Sequence, residues 1–148
     1  MLEAIAAEAL ARIAQFEPQA LTNTVWACAT LGYRNLPLLE AIAKQALQRI
    51  SEFVPQDVGN MSWAFAKLNY LYEPLFDALA MHALPRLSQF IAQEVTNTAW
   101  AFATLAVHHA QLMEAISRES VRRLSEYDPQ ALSNMSWAYA TLGILDPT

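Results

Sequence analysis

An asparagine followed three residues later by a tryptophan recurs four times in the 148-residue sequence, each time 37 residues after the previous copy. The eight residues are Asn23, Trp26, Asn60, Trp63, Asn97, Trp100, Asn134 and Trp137. An indole ring can stack on a nucleobase while an amide bonds to the edge of that base. The same pair can instead fill the gap between packed helices, with the amide bonded to a neighbouring backbone group. Because every copy retains the pair, we predict the shared packing role.

Four arginines form a second series with the same spacing: Arg12, Arg49, Arg86 and Arg123. Each falls near the end of an amphipathic segment, where an arginine can complement the helix dipole and cap a free carbonyl. They are also four of only nine basic residues in the chain. Because packed helices lie about 8 to 10 Å apart, the guanidinium groups could form a row that binds the phosphates of a nucleic-acid backbone. The sequence leaves both roles open.

Some positions differ among the four copies and could carry what distinguishes one copy from another. One position is occupied by Glu8, Gln45, His82 and Glu119, and its neighbour by Ala7, Lys44, Met81 and Arg118. If each copy bound one base, the polar side chains at these positions could read that base. Ordinary variation of surface residues would produce the same pattern. Base reading and surface variation are therefore competing interpretations of these residues.

Two helices in each copy must position these side chains. Between Leu38 and Phe53 the apolar residues recur with helical spacing along one stripe, with polar residues opposite, which predicts an amphipathic helix. The equivalent first helices are predicted over residues 2–16, 38–53, 75–90 and 112–127. Pro85 falls inside the third of these helices, where it removes a backbone donor and clashes with the preceding turn. We therefore predict a break near Leu84.

A second, more apolar helix follows in each copy. Proline suits the first turn of a helix, so Pro18, Pro55 and Pro129 predict where three of these helices begin. Ala92 takes that place in the third copy, where the start is less sharply marked. The helices are predicted to end at about Gly32, Asn69, Ala106 and Gly143. Apolar residues on most of their circumference indicate helices that are buried on several sides.

A unit of this length repeated throughout a chain is typical of stacked helical arrays. The sequence predicts an all-α fold, a right-handed α-solenoid of four helix-turn-helix repeats with about eight antiparallel helices in two layers. The single array spans residues 1–148, with units at about 1–35, 36–72, 73–109 and 110–146. The residues after Gly143 look like a linker into a further unit, so we expect a fragment of a longer array. Trp137, Tyr139 and Leu142 are then left uncovered, and protein or neighbouring repeats are the expected partners of that end.

Composition narrows the function. A net charge of −5 and a pI near 5.1 argue against a generally basic surface, so any nucleic-acid contact must be local. The lone Cys28 excludes an intrachain disulfide and is predicted to be a small core residue. The longest apolar run, near residues 98–107, is about half of the roughly 20 residues that span a bilayer. No membrane association and no targeting segment are expected from this sequence.

Catalysis finds no support in the sequence. His82, His108 and His109 have no cysteine or carboxylate cluster at the spacing of a metal site, so we expect no metal. The chain has no glycine-rich phosphate loop and no nucleophile elbow. We therefore predict a protein that is not an enzyme, with no cofactor and no small-molecule substrate.

The repeated pattern F-x-P-Q-x-L-x-N-x-x-W-A-x-A-x-L-G resembles the octotricopeptide and heptatricopeptide repeats of algal, dinoflagellate and apicomplexan organelle proteins. These repeats are related to those that precede the RAP domain in FAST-kinase-like proteins. The pattern is carried by Phe53, Pro55, Gln56, Asn60, Trp63, Ala64, Ala66 and Leu68 and their equivalents.

The resemblance implies an α-solenoid that binds single-stranded RNA in a chloroplast or mitochondrion, where it serves transcript stabilisation, processing or translation. Some relatives are structural parts of organellar ribosomes. The alternative function is therefore a protein-binding scaffold or a structural subunit of such an assembly. The chain itself contains no RAP domain.

Overall fold

The computed structural model describes residues 1–144, and Leu145 to Thr148, in the stretch expected to lead into a further unit, lie outside the described residues. Eight α-helices account for most of the described chain, and no strand occurs among these residues. The helices are α1 (Leu2–Arg12), α2 (Pro18–Leu31), α3 (Leu36–Gln48), α4 (Pro55–Lys67), α5 (Glu73–Ala83), α6 (Ala92–Thr104), α7 (Ala110–Arg122) and α8 (Pro129–Leu142). The prediction of an all-α fold is confirmed.

The even-numbered helices begin where the sequence predicts. Pro18, Pro55 and Pro129 each occupy the first turn, and α6 begins at Ala92 without a proline. The start of α6 is nonetheless well defined, because the Glu94 carboxylate accepts a hydrogen bond of 2.9 Å from the Ile91 N–H. A carboxylate three residues into the helix can thus fix its start in place of proline.

The ends of these four helices share one backbone feature. Gly32 and Gly143 adopt a left-handed conformation with φ of 67°. Asn69 and Ala106 adopt the same conformation with φ of 52° and 55°. A left-handed residue closes a helix because its N–H can bond back to the last turn. The predicted ends at about Gly32 and Gly143 are confirmed, and α4 and α6 end two residues before the predicted Asn69 and Ala106.

The predicted first helices are wrong in their last turn. The α-helix stops at Arg12, Gln48, Ala83 or Arg122, and a 3-10 turn follows at Ile13–Gln15, Ile50–Glu52, Leu84–Gln89 and Leu124–Glu126. The tighter turn leads into an extended residue that buries its aromatic ring, as at Phe53 and Phe90. Apolar periodicity does not distinguish these turns, because both helix types bring residues three apart onto one side. The predicted break near Leu84 is confirmed, and Pro85 makes that 3-10 segment the longest.

Helices of the same parity pack together in chain order. α2 contacts α4, α4 contacts α6, and α6 contacts α8, while α1, α3, α5 and α7 follow one another in the same way. The even-numbered helices share the most extensive contacts, and α4 and α6 approach closely at a glycine. A Cβ added to Gly59 of α4 would lie 3.3 Å from the Cα of Glu94 at the start of α6. This close packing places equivalent side chains of successive units side by side.

The core runs between the two sets of helices. Its largest fully buried side chains include Leu39, Phe65, Phe76 and Phe102. Cys28 is also buried, as predicted, and burial raises the pKa of its thiol. Burial of this apolar surface is the main favourable term for folding.

The last helix is only partly uncovered. Trp137 is 46% exposed, as predicted, but Leu142 is buried and Tyr139 is half-buried. The prediction for these two residues is wrong, because that side of α8 meets the same unit. The Tyr139 hydroxyl donates a hydrogen bond to the Met113 carbonyl of α7.

Candidate ligand-binding face on the even-numbered helices

One stripe of each even-numbered helix faces solvent. In α4 it contains Gln56, which is exposed, and Asn60 and Trp63, which are half-buried. The spacing of four and then three residues keeps these side chains on one side of the helix. The stripes together form what we call the Asn–Trp face: Gln19, Asn23, Trp26, Gln56, Asn60, Trp63, Gln93, Asn97, Trp100, Gln130, Asn134 and Trp137.

The tryptophans of this face are not enclosed. Trp26 and Trp137 are each 46% exposed, and Trp63 and Trp100 are half-buried. Trp100 and Trp137 nevertheless contact each other, with ring centroids 6.4 Å apart and planes inclined by 32°. Trp100 and Trp137 therefore touch between units, as the packing interpretation requires, and all four rings present aromatic surface to solvent.

The asparagine amides do not form the predicted bonds to neighbouring backbone. The Asn134 carbonyl oxygen accepts a hydrogen bond of 3.0 Å from the Gln130 side chain of the same helix. The side chains of Asn23, Asn60 and Asn97 make no hydrogen bond within residues 1–144. Packing of the units thus does not use three of the four amides, and their donors and acceptors remain available to a ligand.

A groove of about 490 Å³ lies on this face between the N-terminal halves of α6 and α8. Asn97 and Asn134 line it from opposite sides, and Glu126 and Asp128 line its edge. Thr96 also lines it and is buried, and its hydroxyl oxygen has no hydrogen-bond partner among the described residues. The groove combines amides with carboxylates, so its chemistry is polar and locally acidic.

The opposite end of the face is locally basic. Lys67 is exposed, lies one turn after Trp63 on α4, and forms no ion pair within the described residues. Arg34 lies beside the same helix end, since its Nε donates to the Leu68 carbonyl at 2.9 Å and its Nη2 to the Asn69 carbonyl at 3.3 Å. Neither cation was singled out from the sequence. The helical spacing from Trp63 to Lys67 was the available signal for Lys67, whereas Arg34 reaches this position only through the fold.

The Arg49 side chain is engaged by the chain itself. Its Nη1 donates to the Phe16 carbonyl at 2.9 Å, and its Nη2 lies 2.7 Å from the Glu17 carboxylate. Its Nε lies 2.7 Å from the Glu52 carboxylate. The hydrogen bond with Glu52 is the main cause that raises the pKa of Arg49, and Arg49 lowers the pKa of Glu52. Arg49 therefore joins its own unit to the turn of the preceding one.

The other three arginines of the series also meet protein acceptors. Arg12 pairs with Glu8 at 2.5 Å, and Arg86 donates to the His82 carbonyl at 2.8 Å. The Arg123 guanidinium lies 3.3 Å from the carboxylate of Glu119. This last contact is an ion pair by distance without a well-aligned hydrogen bond, because the Arg123 Nε has no bonded partner in the described chain. Arg12, Arg49 and Arg123 lie at the ends of odd-numbered helices and Arg86 lies in the 3-10 segment after α5, where these contacts fit dipole complementation and capping.

The residues that vary among the copies lie on the odd-numbered helices, away from the Asn–Trp stripes. The Gln45 amide donates to the Ala14 carbonyl at 3.4 Å, and the His82 Nε2 lies 2.8 Å from the Phe53 carbonyl. Both contacts join one unit to the preceding unit. Glu8 and Glu119 pair with arginines, and Lys44 and Arg118 pair with Glu40 and Glu114 on their own helices. Base reading by these six side chains stays a prediction.

Other kinds of site find no support among residues 1–144. No group of three or more histidine, cysteine or acidic side chains is placed to hold a metal ion in this part of the chain. No described helix is long and apolar enough to cross a membrane. A comparison with models of protein families finds no match for the sequence, and a comparison with curated proteins finds none either.

Proposed function

We propose that the chain is a right-handed α-solenoid of four 37-residue repeats that binds single-stranded RNA along the Asn–Trp face. The chain would form a single array. This array would be a segment of an organellar protein that acts in the stabilisation, processing or translation of transcripts. The chain-order packing of α2, α4, α6 and α8, with a second set formed by the odd-numbered helices, supports the solenoid architecture. The resemblance of the repeat to octotricopeptide and heptatricopeptide units supports the organellar assignment.

The observation that carries the proposal is the recurrence of a solvent-facing indole beside an amide that the fold leaves unbonded. The first three units each offer one such pair, at Asn60 and Trp63 for example, and in the fourth the Asn134 oxygen is bonded to Gln130. Single-stranded nucleic acid binds proteins by stacking its bases on aromatic rings, worth about 1 to 3 kcal/mol per base, and by bonding base edges to polar side chains. We infer that each unit holds one base, with the indole against its face and the amide at its edge.

The phosphate contacts differ from those expected from the sequence. Because Arg12, Arg49 and Arg123 pair with carboxylates and the arginine series lies by the odd-numbered helices, we assign the phosphates to Lys67 and Arg34. Both lie beside the end of α4, where Arg34 meets backbone carbonyls only. These are two cations without a carboxylate partner in the described chain. Binding would then depend more on bases than on charge, which suits a protein of net charge −5.

Substitution of the unbonded amides tests the proposal. The double variant Asn60→Ala, Asn97→Ala loses no internal hydrogen bond, so its fold should be unchanged. Its affinity for a labelled single strand of about eight nucleotides, measured by fluorescence anisotropy, should fall about tenfold, since two neutral hydrogen bonds contribute about 0.5 to 1.5 kcal/mol each. Gln48→Ala, at an exposed position of α3, is the matched control and should bind as the wild type does. Equal affinity of all three proteins would reject the Asn–Trp face as the RNA site.

A protein-binding scaffold is the second candidate. Glu126 and Asp128 at the groove between α6 and α8 favour it, because carboxylates repel phosphates and attract basic peptide side chains. Affinity purification separates the two functions. A stoichiometric protein partner that survives nuclease treatment, and that the double asparagine variant fails to retain, would favour the scaffold on this face.

A further inference from the structure

The first unit exposes apolar side chains whose equivalents are buried in every other unit. Leu2 and Ile5 on α1 are 40% and 55% exposed. The equivalents of Leu2 are Leu39, Phe76 and Met113, and those of Ile5 are Ile42, Leu79 and Ile116. All six side chains are at most 1% exposed. In α2, Ala27 is likewise exposed, although Ala64, Ala101 and Ala138 are fully buried. In units two to four these positions therefore face the preceding unit, whereas in the first unit nothing within the described residues covers them.

These exposed residues form one surface, which we call the leading face. An apolar cavity of about 270 Å³ opens on it between α1 and α2. Leu2, Ile5, Ala27 and Leu31 line this cavity. The leading face thus has an apolar recess where the internal units receive a neighbour.

The last unit shows the complementary pattern. Leu132 on α8 is 41% exposed, whereas its equivalents Leu21, Val58 and Val95 are fully buried. Ser136 and Ala140 are also exposed, although each has a buried equivalent in all three earlier units. We call the surface formed by Leu132, Ser136 and Ala140 the trailing face. In units one to three, the same positions pack against the following unit.

We infer that the leading face of one copy of this 148-residue chain packs on the trailing face of a second copy, in the position that a flanking unit would take in a longer array. The occupant is specified by the molecule itself, because α2, α4 and α6 each already contact both helices of the following unit, which joins these two kinds of surface three times. Each face carries apolar or small side chains at the positions that have apolar or small side chains in those internal contacts. Packing the two faces together would bury apolar side chains that are otherwise in contact with water.

The geometry of the association follows from the two faces being different. A head-to-tail contact between unlike surfaces does not close on itself as a twofold dimer does. Each added copy presents a new trailing face to the next. The expected product is therefore an open series of oligomers whose mean mass rises with protein concentration.

Two variants, Ile5→Glu on the leading face and Leu132→Glu on the trailing face, test the inference by sedimentation velocity over a wide concentration range. Each variant alone should stay at the 16.5 kDa monomer mass, while the wild type grows beyond it. A mixture of the two should form a one-to-one complex that grows no further, because one intact face remains on each partner. Met81→Glu is the matched control, since it places the same charge at an exposed apolar position outside both faces. It should associate as the wild type does.

Circular dichroism and thermal melting of each variant would show that the monomers are folded. The proposal is overturned if the folded wild type stays monomeric at every concentration, if either single variant still forms the series, or if the mixture of folded variants forms no complex. These outcomes do not depend on RNA, so they leave the proposed function to its own test.

Discussion

Trp100 and Trp137 occupy the same position of successive units, and their ring centroids are 6.4 Å apart. The 37-residue spacing in the sequence thus becomes side-by-side contact in space. A ligand that lies across α6 and α8 meets both rings together. The Asn–Trp face is therefore a surface shared between units.

The tryptophans should contribute less to stability than the aromatic residues of the core. Phe102→Ala removes a fully buried ring and should lower the free energy of unfolding by about 3 to 5 kcal/mol. Trp137→Ala removes a half-exposed ring and its contact with Trp100, worth about 0.5 to 1.5 kcal/mol beyond lost burial, so its cost should be clearly smaller. Urea denaturation measures both. A Trp137→Ala variant as unstable as Phe102→Ala would assign this tryptophan to packing.

Gly59 should tolerate no large side chain, because even a Cβ there would lie 3.3 Å from the Glu94 Cα of the next unit. Gly59→Leu should destabilise the protein by about 1 to 3 kcal/mol through overpacking against Glu94. Ser133 is the equivalent position in the last unit, where it is exposed. Ser133→Leu is therefore the control and should change the free energy of unfolding much less. If both variants lost a similar free energy of unfolding, the close approach of α4 and α6 would not explain the destabilisation by Gly59→Leu.

Arg49→Ala should lower the melting temperature more than Arg12→Ala. Arg49 joins two units through the Phe16 carbonyl and the Glu17 carboxylate, whereas Arg12 pairs only with Glu8 on its own helix. Exposed ion pairs within one helix contribute little. Differential scanning calorimetry of the two variants compares them directly. Equal melting temperatures would contradict a role for Arg49 in joining the units.

The stabilisation from Arg49 should also depend on pH. Arg49 lowers the pKa of Glu52, so the folded state holds the charged carboxylate more strongly than the unfolded chain does. The contribution is then fully present above the ordinary carboxyl pKa of about 4.3. It is lost as the pH falls through the lower pKa of the folded state. The difference in melting temperature between wild type and Arg49→Ala should therefore shrink below that ordinary pKa, and a difference that grew on acidification would contradict the ion pair.

The salt dependence of RNA binding should distinguish the two candidate phosphate sites. Contacts from Lys67 and Arg34 predict a slope of log affinity against log salt near −1.4, from about 0.7 per phosphate, and Lys67→Ala should bring it near −0.7. Arg12→Ala should leave the slope unchanged. Four phosphates predict a slope near −2.8. A slope of that value that became less steep in Arg12→Ala would instead favour phosphate binding by Arg12, Arg49, Arg86 and Arg123.

The helices were largely predictable from sequence because their signals are local. Proline at the first turn and a glycine such as Gly32 after the last turn indicated where even-numbered helices begin and end. The 3-10 turns were not predictable, since residues three apart share one side in both helix types. Their formation depends on burying Phe53 and its equivalents, which is a tertiary contact.

The candidate site was predicted only as a set of residues. The sequence identified Asn60 and Trp63 because the pair recurs. Recurrence does not reveal which side of a helix is covered by neighbouring helices. The partners of Arg49 and His82 lie about 30 positions away, and no periodicity within one helix indicates them. The contact of Arg34 with the end of α4 also joins residues far apart in the sequence. Contacts between units required the structure.

Intrinsic tryptophan fluorescence tests the proposed RNA face most directly, because all four tryptophans of the chain lie on it. Titration with single-stranded RNA should quench the indole emission with saturation, as bases stack on the rings. Duplex RNA of the same sequence should quench far less, because its bases are already stacked and paired. RNA binding that is seen by anisotropy but leaves the emission unchanged, or the absence of binding at low salt, would contradict the Asn–Trp face as the RNA site.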